Sequence, residues 1–329
     1  MTTTSEHASV RTELVSQLES GLAAVRPLLR QDLVARGTND HDIGAALKRG
    51  ELTALRPGRY LRTESYAEMT YEQRHRLLVA SVAPDLKPQT VVSHTSAAVI
   101  WGMSLWRVRL DRVHVSRHQA ARVRTSRWVQ PHHSRTRIPT DVVDDVVVTS
   151  PARTVCDCAR LLPFEQGVVV ADAALRMELV TAAELADEIS RSAGLKGVGR
   201  ARAVVNFADS RSESVGESRS RVMFQTAPLP QMELQYKIDD DIGRFIARVD
   251  FAIPRLKIAG EFDGRVKYGR LLRPGQDPGD VVFAEKIRED RAREVGWQMV
   301  RWVWNEIEQP AVVIGRWQRA VARAGEARR

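Results

Sequence analysis

Three runs of alternating apolar and polar residues follow one another near the C-terminus, and they leave few ways for that part of the chain to fold. QMELQYKI, GRFIARVDFAI and LKIAGEFDG each carry the period of two expected of strands. The first two are joined at Asp240-Asp241-Ile242-Gly243 and the third follows a turn at Pro254-Arg255, so successive strands are predicted to lie side by side. GESRSRVMFQTA, before them, reads as a helix. After them FAEKIREDRAREVG reads as a helix ended by Gly296 and WQMVRWVW as a fourth strand. NEIEQPAVVIGRWQRAVARA closes as a helical stretch interrupted near Pro310.

That order gathers acids. Asp250 sits near the end of the second strand, and Glu261 and Asp263, two apart on the next, point to one face. Carboxylates crowded on one sheet face repel unless a cation neutralises them, and an oxygen-only cluster suits Mg2+ or Mn2+. Such a metal polarises a phosphoryl group and lowers the pKa of a bound water. Glu217 on the preceding helix is a further candidate ligand, and Lys267 a candidate for stabilising charge that develops on phosphate. A salt-bridged strand face, with Arg248, Arg265 and Lys267 as partners, fits the same composition equally well.

The N-terminal third carries a different pattern. Residues 10–30 place Val10, Leu14, Leu18, Leu22 and Val25 on one helical face. Arg30 to Arg36 reads as a short helix ended by Gly37. A second helix follows, capped by Asn39 or Asp40 and stopped by Gly50. ELTALRPGRYLR then gives two short strands joined at Pro57-Gly58. Helix, turn, helix, hairpin is the order of a winged helix-turn-helix, whose second helix enters the major groove while the wing touches phosphate. Lys48 and Arg49 on the second helix and Arg56, Arg59 and Arg62 on the wing are the candidate DNA contacts. Further on, Ser93 is expected to cap a small-residue helix, RVHVSR and DVVVTS to be strands, and SPARTVCDCARLL to be a helix with Pro151 at its first position. LVTAAELADEIS carries a capping box of Thr181 and Glu184. A Ser-, Gly- and Arg-rich linker with one embedded helix follows, with a boundary near residue 210.

The formal net charge is +9, and most of it is concentrated. Between Arg107 and Arg137 nine arginines and four histidines face one acid, Asp111, so this run alone carries +8. Concentrated charge releases counterions from a phosphate backbone, which dispersed charge does far less well. Arg122, Arg124 and Arg127 are its central candidates for DNA contact. His114, His118, His132 and His133 are candidate zinc ligands, but they lack a Cys or acid partner at ligand spacing, and partly exposed rings beside arginines, available to phosphate, are the favoured reading. Cys156 and Cys158, one residue apart, could close only a badly strained disulfide, so they are expected to fill core in a reducing compartment. The tryptophans, among them Trp297, Trp302, Trp304 and Trp317, are expected to anchor cores. The start, MTTTSEHASVRTEL, lacks an apolar signal core, and no stretch approaches the roughly 20 apolar residues of a membrane span. A cytoplasmic protein with DNA and no membrane as partner is the expectation.

Two resemblances sharpen these readings. The stretches GESRSR, RVDFAI, GEFDG, REDRAREVGW and MVRW, within about 210–310, resemble the PD-(D/E)xK nuclease superfamily, in the branch related to very-short-patch-repair endonucleases. The resemblance implies Glu217, Asp250 and Glu261 as metal-binding acids. The chain departs from that pattern at Asp263, which stands where a lysine is usual, and Lys267 stands where many close relatives have a histidine. QDLVARGTNDHDIGAALKRGELTALRPGRYLR, VVSHTSAAVIWG, VTSPARTVCDCARLL and VVVADAALRMELVTAAEL, within about 30–190, are similar to the AbiEi antitoxin family, the DNA-binding half of type IV toxin–antitoxin systems. That likeness implies a promoter-binding autorepressor and a cognate toxin protein as partner.

The expected fold class is α/β of a multi-domain α+β kind. A winged helix-turn-helix is assigned to 1–65, a mixed α+β middle domain with linker to 66–209, and a restriction-endonuclease-like α/β domain to 210–329. Two functions follow: a metal-dependent DNA endonuclease, or a transcriptional autorepressor or antitoxin with a catalytically inactive nuclease fold. DNA binding is predicted to be salt-sensitive in either case. Contact of the basic run with about five phosphates gives a slope of about −4 to −5 for log K against log salt. Changing Arg122, Arg124 and Arg127 together to Ala flattens that slope; an unchanged slope would place the run away from DNA.

Overall fold

A computed structural model describes residues 26–118, 126–264 and 278–326. The chain is a mixed α/β protein with three separate sheets. It divides between Ala208 and Asp209 into two compact units. No described helix is long and apolar enough to cross a membrane.

The first unit opens with β1 (Leu28–Leu29), α1 (Arg30–Ala35), α2 (Asp40–Lys48), β2 (Leu52–Arg56) and β3 (Arg59–Arg62). The Asn39 side chain accepts from the Asp42 N–H and the Asp42 carboxylate from the Asn39 N–H, which starts α2. The sequence reading of a helix through residue 30 needs correction at its end. Leu28 and Leu29 pair antiparallel with Tyr60 and Arg59, and the Arg30 N–H donates to Gly58 O, so the hairpin captures this segment as a third strand. The remainder of that expected helix lies outside the described residues.

α3 (Thr63–Ala67) and α4 (Tyr71–Val82) lead to a second sheet of five strands. These are β4 (Thr90–Val92), β5 (Val113–His118), β6 (Val129–Ser134), β7 (Thr140–Val143) and β8 (Val146–Thr149), with α5 (His94–Ile100) between β4 and β5. Their order across the sheet is β6-β5-β4-β8-β7. β4 is antiparallel to β5 and parallel to β8, and β5 is parallel to β6. Four helices complete the unit: α6 (Pro151–Leu161), α7 (Phe164–Arg176), α8 (Ala182–Arg191) and α9 (Val198–Phe207). Thr181 and Glu184 form the expected capping box of α8. Cys156 and Cys158 are free and buried in α6, as core filling requires.

In the second unit, α10 (Val215–Phe224) precedes β9 (Glu233–Asp239), β10 (Phe245–Ile253) and β11 (Ile258–Asp263). Then come α11 (Pro278–Glu294), β12 (Gln298–Val303), α12 (Trp304–Ile307) and α13 (Pro310–Glu326). The sheet order is β12-β11-β10-β9, antiparallel except for β11 with β12. One sheet face buries Phe251, Ile253, Ile258, Phe262, Trp302 and Trp317, and the other Ile238, Val249, Ala259, Ala292 and Trp297. Two glycines permit the close packing of the first face. A methyl on Gly216 would overlap the Phe262 ring, and one on Gly260 would overlap the Trp317 indole. Gly260→Ala is therefore expected to destabilise this unit by about 1–3 kcal/mol, the usual penalty of overpacking, measured by denaturant unfolding.

Candidate functional site

The helix-helix-hairpin segment from Arg30 to Arg62 contributes fewer outward cations than its sequence suggests. Lys48, in the last turn of α2, and Arg62, at the end of β3, are exposed and form no ion pair with a described residue. Arg49 instead clasps Glu51 through two hydrogen bonds of 2.6 and 3.0 Å. Arg56 and Arg59 turn toward the body of the unit. Both reach Asp85, at 2.8 and 3.2 Å, and Arg56 also donates to Ser81 O at 2.9 Å. Asp85 ends the short 3-10 turn after α4, so these two arginines dock the hairpin.

The basic run forms β5, β6 and their flanks. Arg127 is exposed and lies over the Trp128 ring at 4.9 Å, while Arg122 and Arg124 lie outside the described residues. Arg109 pairs with Asp111 at 3.0 Å.

The acids of the second unit lie on neighbouring elements, and Glu217, Asp250 and Glu261 each have a bonded partner. β10 changes phase at Asp250: Ala247 and Val249 belong to one core, Phe251 and Ile253 to the other. β9 changes face between Leu234 and Tyr236, around Gln235, whose φ is +52°. The two strands stay in register across this point, Val249↔Tyr236 and Phe251↔Leu234, and the Asp250 carboxylate accepts the Phe262 N–H at 2.8 Å. Pairing of β10 with β11 runs through Phe251↔Gly260, Ala252↔Ala259 and Ile253↔Ile258. Glu261 follows immediately, bound at 2.9 Å by Arg301, its register neighbour on β12, which also reaches Glu289 at 2.9 Å. Arg248 instead pairs with Glu213 at 2.7 Å. Glu217 accepts from Ser214 Oγ, the Glu213 N–H and Gln235 Nε2, at 2.7, 2.9 and 2.8 Å. Asp263 lies two residues beyond Glu261 on β11, beside Val303, and Lys267 lies outside the described residues.

Three histidines form a tighter group. Among the described residues, the group of His, Cys, Asp or Glu side chains whose ligand atoms all lie within 4.8 Å of one another is His94, His114 and His132. Glu217, Asp250 and Glu261 do not meet that spacing. His94 opens α5, directly after β4; His114 lies on β5 and His132 on β6. His114 and His132 are partly exposed, as expected, but strand order also turns the rings onto each other, His132 Nε2 to His114 Nδ1, at 3.0 Å. The His94 ring stacks on His132 with centroids 3.7 Å apart. Sequence reasoning passed over His94. Its signal was the Ser93-His94 pair at a strand-to-helix junction. Ser93 holds the cap position without capping: its hydroxyl meets His94 Nδ1 at 2.9 Å and receives the Ser116 hydroxyl at 2.8 Å.

A fourth ring buttresses the group. His75 lies 2.8 Å from Leu110 O, which can only accept, so its proton sits on Nδ1 and Ser96 Oγ donates to Nε2. The same hydroxyl oxygen accepts the His114 N–H at 2.8 Å. Burial pushes all four rings down: His75 to about 4, His114 to about 3, His132 to about 4 and His94 well below its ordinary value. Arg160 adds to the effect on His94 and His132. All four are neutral near pH 7.

No family model matches the chain. Two relatives from Mycobacterium tuberculosis, the uncharacterized proteins MT2308 and Rv2248, are each 30% identical to it over 193 residues, which is 58% of this chain and 68% of theirs. The crystal structure of the RV2827C protein from Mycobacterium tuberculosis aligns with 69% of this chain and 89% of its own, at 15% identity and a TM-score of 0.37. That likeness is too loose to define a shared fold.

The buried histidines set an acid limit. Below their ordinary value of 6.5 the unfolded chain takes up protons that the folded chain refuses, so stability is lost as pH falls. In metal-free buffer the first unit should lose stability steadily from about pH 6.5 toward pH 4, with His75 alone accounting for on the order of 3 kcal/mol. Thermal unfolding against pH measures this, and His75→Gln should make the dependence shallower.

Proposed function

The chain belongs to the family of the Mycobacterium tuberculosis proteins MT2308 and Rv2248, and for this member we propose a DNA-binding function with a nuclease-type second unit. In this proposal the first unit grips duplex DNA, and Asp250 and Glu261 of the second hold Mg2+ or Mn2+ against a phosphodiester. The observation that carries it is the placing of Asp250 at the phase change of β10, beside the strand that bears Glu261 and Asp263. With Glu217 on the preceding helix, this is the order of acids that the PD-(D/E)xK resemblance implies.

The donors fit a hard divalent cation in kind, since all are carboxylate oxygens. Arg301 would have to release Glu261, and one Asp250 oxygen accepts the Phe262 N–H. When bound, the cation would supply Lewis acidity and a more acidic water. The chain's own groups do the rest. Arg301 neutralises Glu261 until it is needed, and the Phe262 N–H fixes the direction of Asp250. Lys48, Arg62 and Arg127 are the outward cations proposed to meet phosphate.

A second reading has its own support. Arg301 already supplies the counterion for Glu261, and Asp263 puts a negative charge where the superfamily usually has a positive one. A DNA-binding regulator of the AbiEi antitoxin type, with a cognate toxin as partner and an inactive nuclease fold, would look the same. Mn2+ separates the two. The endonuclease nicks supercoiled plasmid with Mn2+ and gains about 2.7 kcal/mol of stability at a hundredfold excess of ion over Kd. Asp250→Asn abolishes both while DNA affinity holds, and Asp263→Lys raises nicking. Wild-type protein that shows neither response in millimolar Mn2+ leaves the regulator.

A further inference from the structure

His94, His114 and His132 come from three segments that sheet order alone brings together, β6 beside β5 beside β4. Several features of the group exceed what a packed core requires. His94 has a φ of +52°, a left-handed conformation that is costly for a non-glycine residue, and such outliers persist where the surroundings hold a side chain for a purpose. Its Nδ1 is fixed by Ser93, which is itself held by Ser116. The backbone of His114 is tied through Ser96 to His75. A hydrogen-bonded partner on the ring itself, as Ser93 is to His94, is the usual support of a metal ligand. Between His114 Nδ1 and His132 Nε2, 3.0 Å apart, one hydrogen must serve two nitrogens, so an ion taking both lone pairs replaces a single shared bond.

We propose that His94, His114 and His132 form a site for a divalent transition-metal ion of the Zn2+ type, with one coordination position left open. Three imidazoles without a thiolate suit Zn2+, Co2+, Ni2+ or Cu2+, and give Mg2+ and Ca2+ nothing they prefer. A tetrahedral Zn2+ site with bonds of about 2.0–2.1 Å needs its nitrogens about 3.3 Å apart. The widest separation here is within 4.8 Å, and ring rotations that open the His94–His132 stack and the His114–His132 hydrogen bond would close the site. Three neutral ligands leave the charge of the ion uncompensated. The open position therefore favours hydroxide or another anion, all the more because Arg153 and Arg160 lie close enough to depress His94. Bound metal would tie edge strand β6 to the start of α5, joining residues far apart in sequence. The site is independent of the acids proposed to hold Mg2+ or Mn2+.

The test uses the untagged full chain, stripped with chelator and titrated with Co2+ as a spectroscopic probe. The expected result is one equivalent bound per chain, with the visible bands of a tetrahedral nitrogen site, displaced by Zn2+. Zn2+ should also raise the thermal midpoint. Asp250→Asn should bind Co2+ unchanged, which keeps this outcome separate from any failure of the acidic site. His132→Gln should lose the bands, and Ser93→Ala should weaken affinity by about 10- to 100-fold while keeping them. Unfolding of each metal-free variant shows whether it is folded. If His132→Gln is not, Ser93→Ala and the wild-type stoichiometry decide. Folded wild-type protein that takes up no stoichiometric Co2+ overturns the proposal. So does binding that is equal in wild type and both variants, or that disappears in Asp250→Asn.

Discussion

A single buried guanidinium couples much of the first unit. Arg153 on α6, almost fully enclosed, donates to Asp157 on its own helix at 2.8 Å. It also donates to Ser134 at the end of β6 and to Thr136 just beyond, each at 3.2 Å, and lies 3.6 Å from Glu188 on α8. A buried charge stripped of its partner costs about 3–5 kcal/mol, so none of these segments can move away alone. Asp157 extends the network to Arg160, which donates onward to Lys196 O. Ser134 is two residues from His132 on the same strand. The network that holds β6 in place therefore also places the ring, and its guanidinium charge discourages protonation of His94 beside it.

The second unit uses packing for the same end. α10 and α13 approach the sheet closely because Gly216 and Gly260 leave room for the Phe262 and Trp317 rings. The indole N–H of Trp302 donates to Ser220 Oγ at 2.8 Å, which fixes α10 against the sheet. Glu217, three residues before Ser220, is then held beside Gln235, on the residue where β9 changes face. Asp250 and Gln235 thus sit where two paired strands change face, beside the helix that carries Glu217.

The second unit was legible because its signals are local. Alternating runs, short turns and a terminal glycine specified the strands and helices between Val215 and Val303, and adjacency in sequence made β9, β10 and β11 neighbours in space. The partner of Glu261 was not legible, since Arg301 arrives from a parallel strand forty residues on. In the first unit the helix caps were readable, but the wing arginines were not. Whether Arg56 and Arg59 face outward depends on Asp85, which belongs to a later turn. The histidine group was hidden for the same reason. No spacing rule links residues 94, 114 and 132 until the sheet order β6-β5-β4 is known.

The two proposed ligand sets differ in their chemistry. Carboxylates are charged near neutral pH and need a counterion at all times, and Arg301 serves Glu261 in that role. The imidazoles are neutral and meet their needs through hydroxyls and one shared proton. An incoming cation would displace a guanidinium at the first site; at the second, the hydrogen between His114 and His132 would move to the other nitrogen of its ring, and only imidazolium would compete as an acid. Competition with a fixed guanidinium does not change with pH until the carboxylates themselves titrate. Competition with a proton does change with pH, but burial has already moved these rings far below neutrality, so little proton remains to be displaced at pH 7. The cost of readiness has been met during folding, by desolvating the rings. A hard ion such as Mg2+ gains nothing from imidazole nitrogens, whereas an ion of the Zn2+ type can use either proposed set.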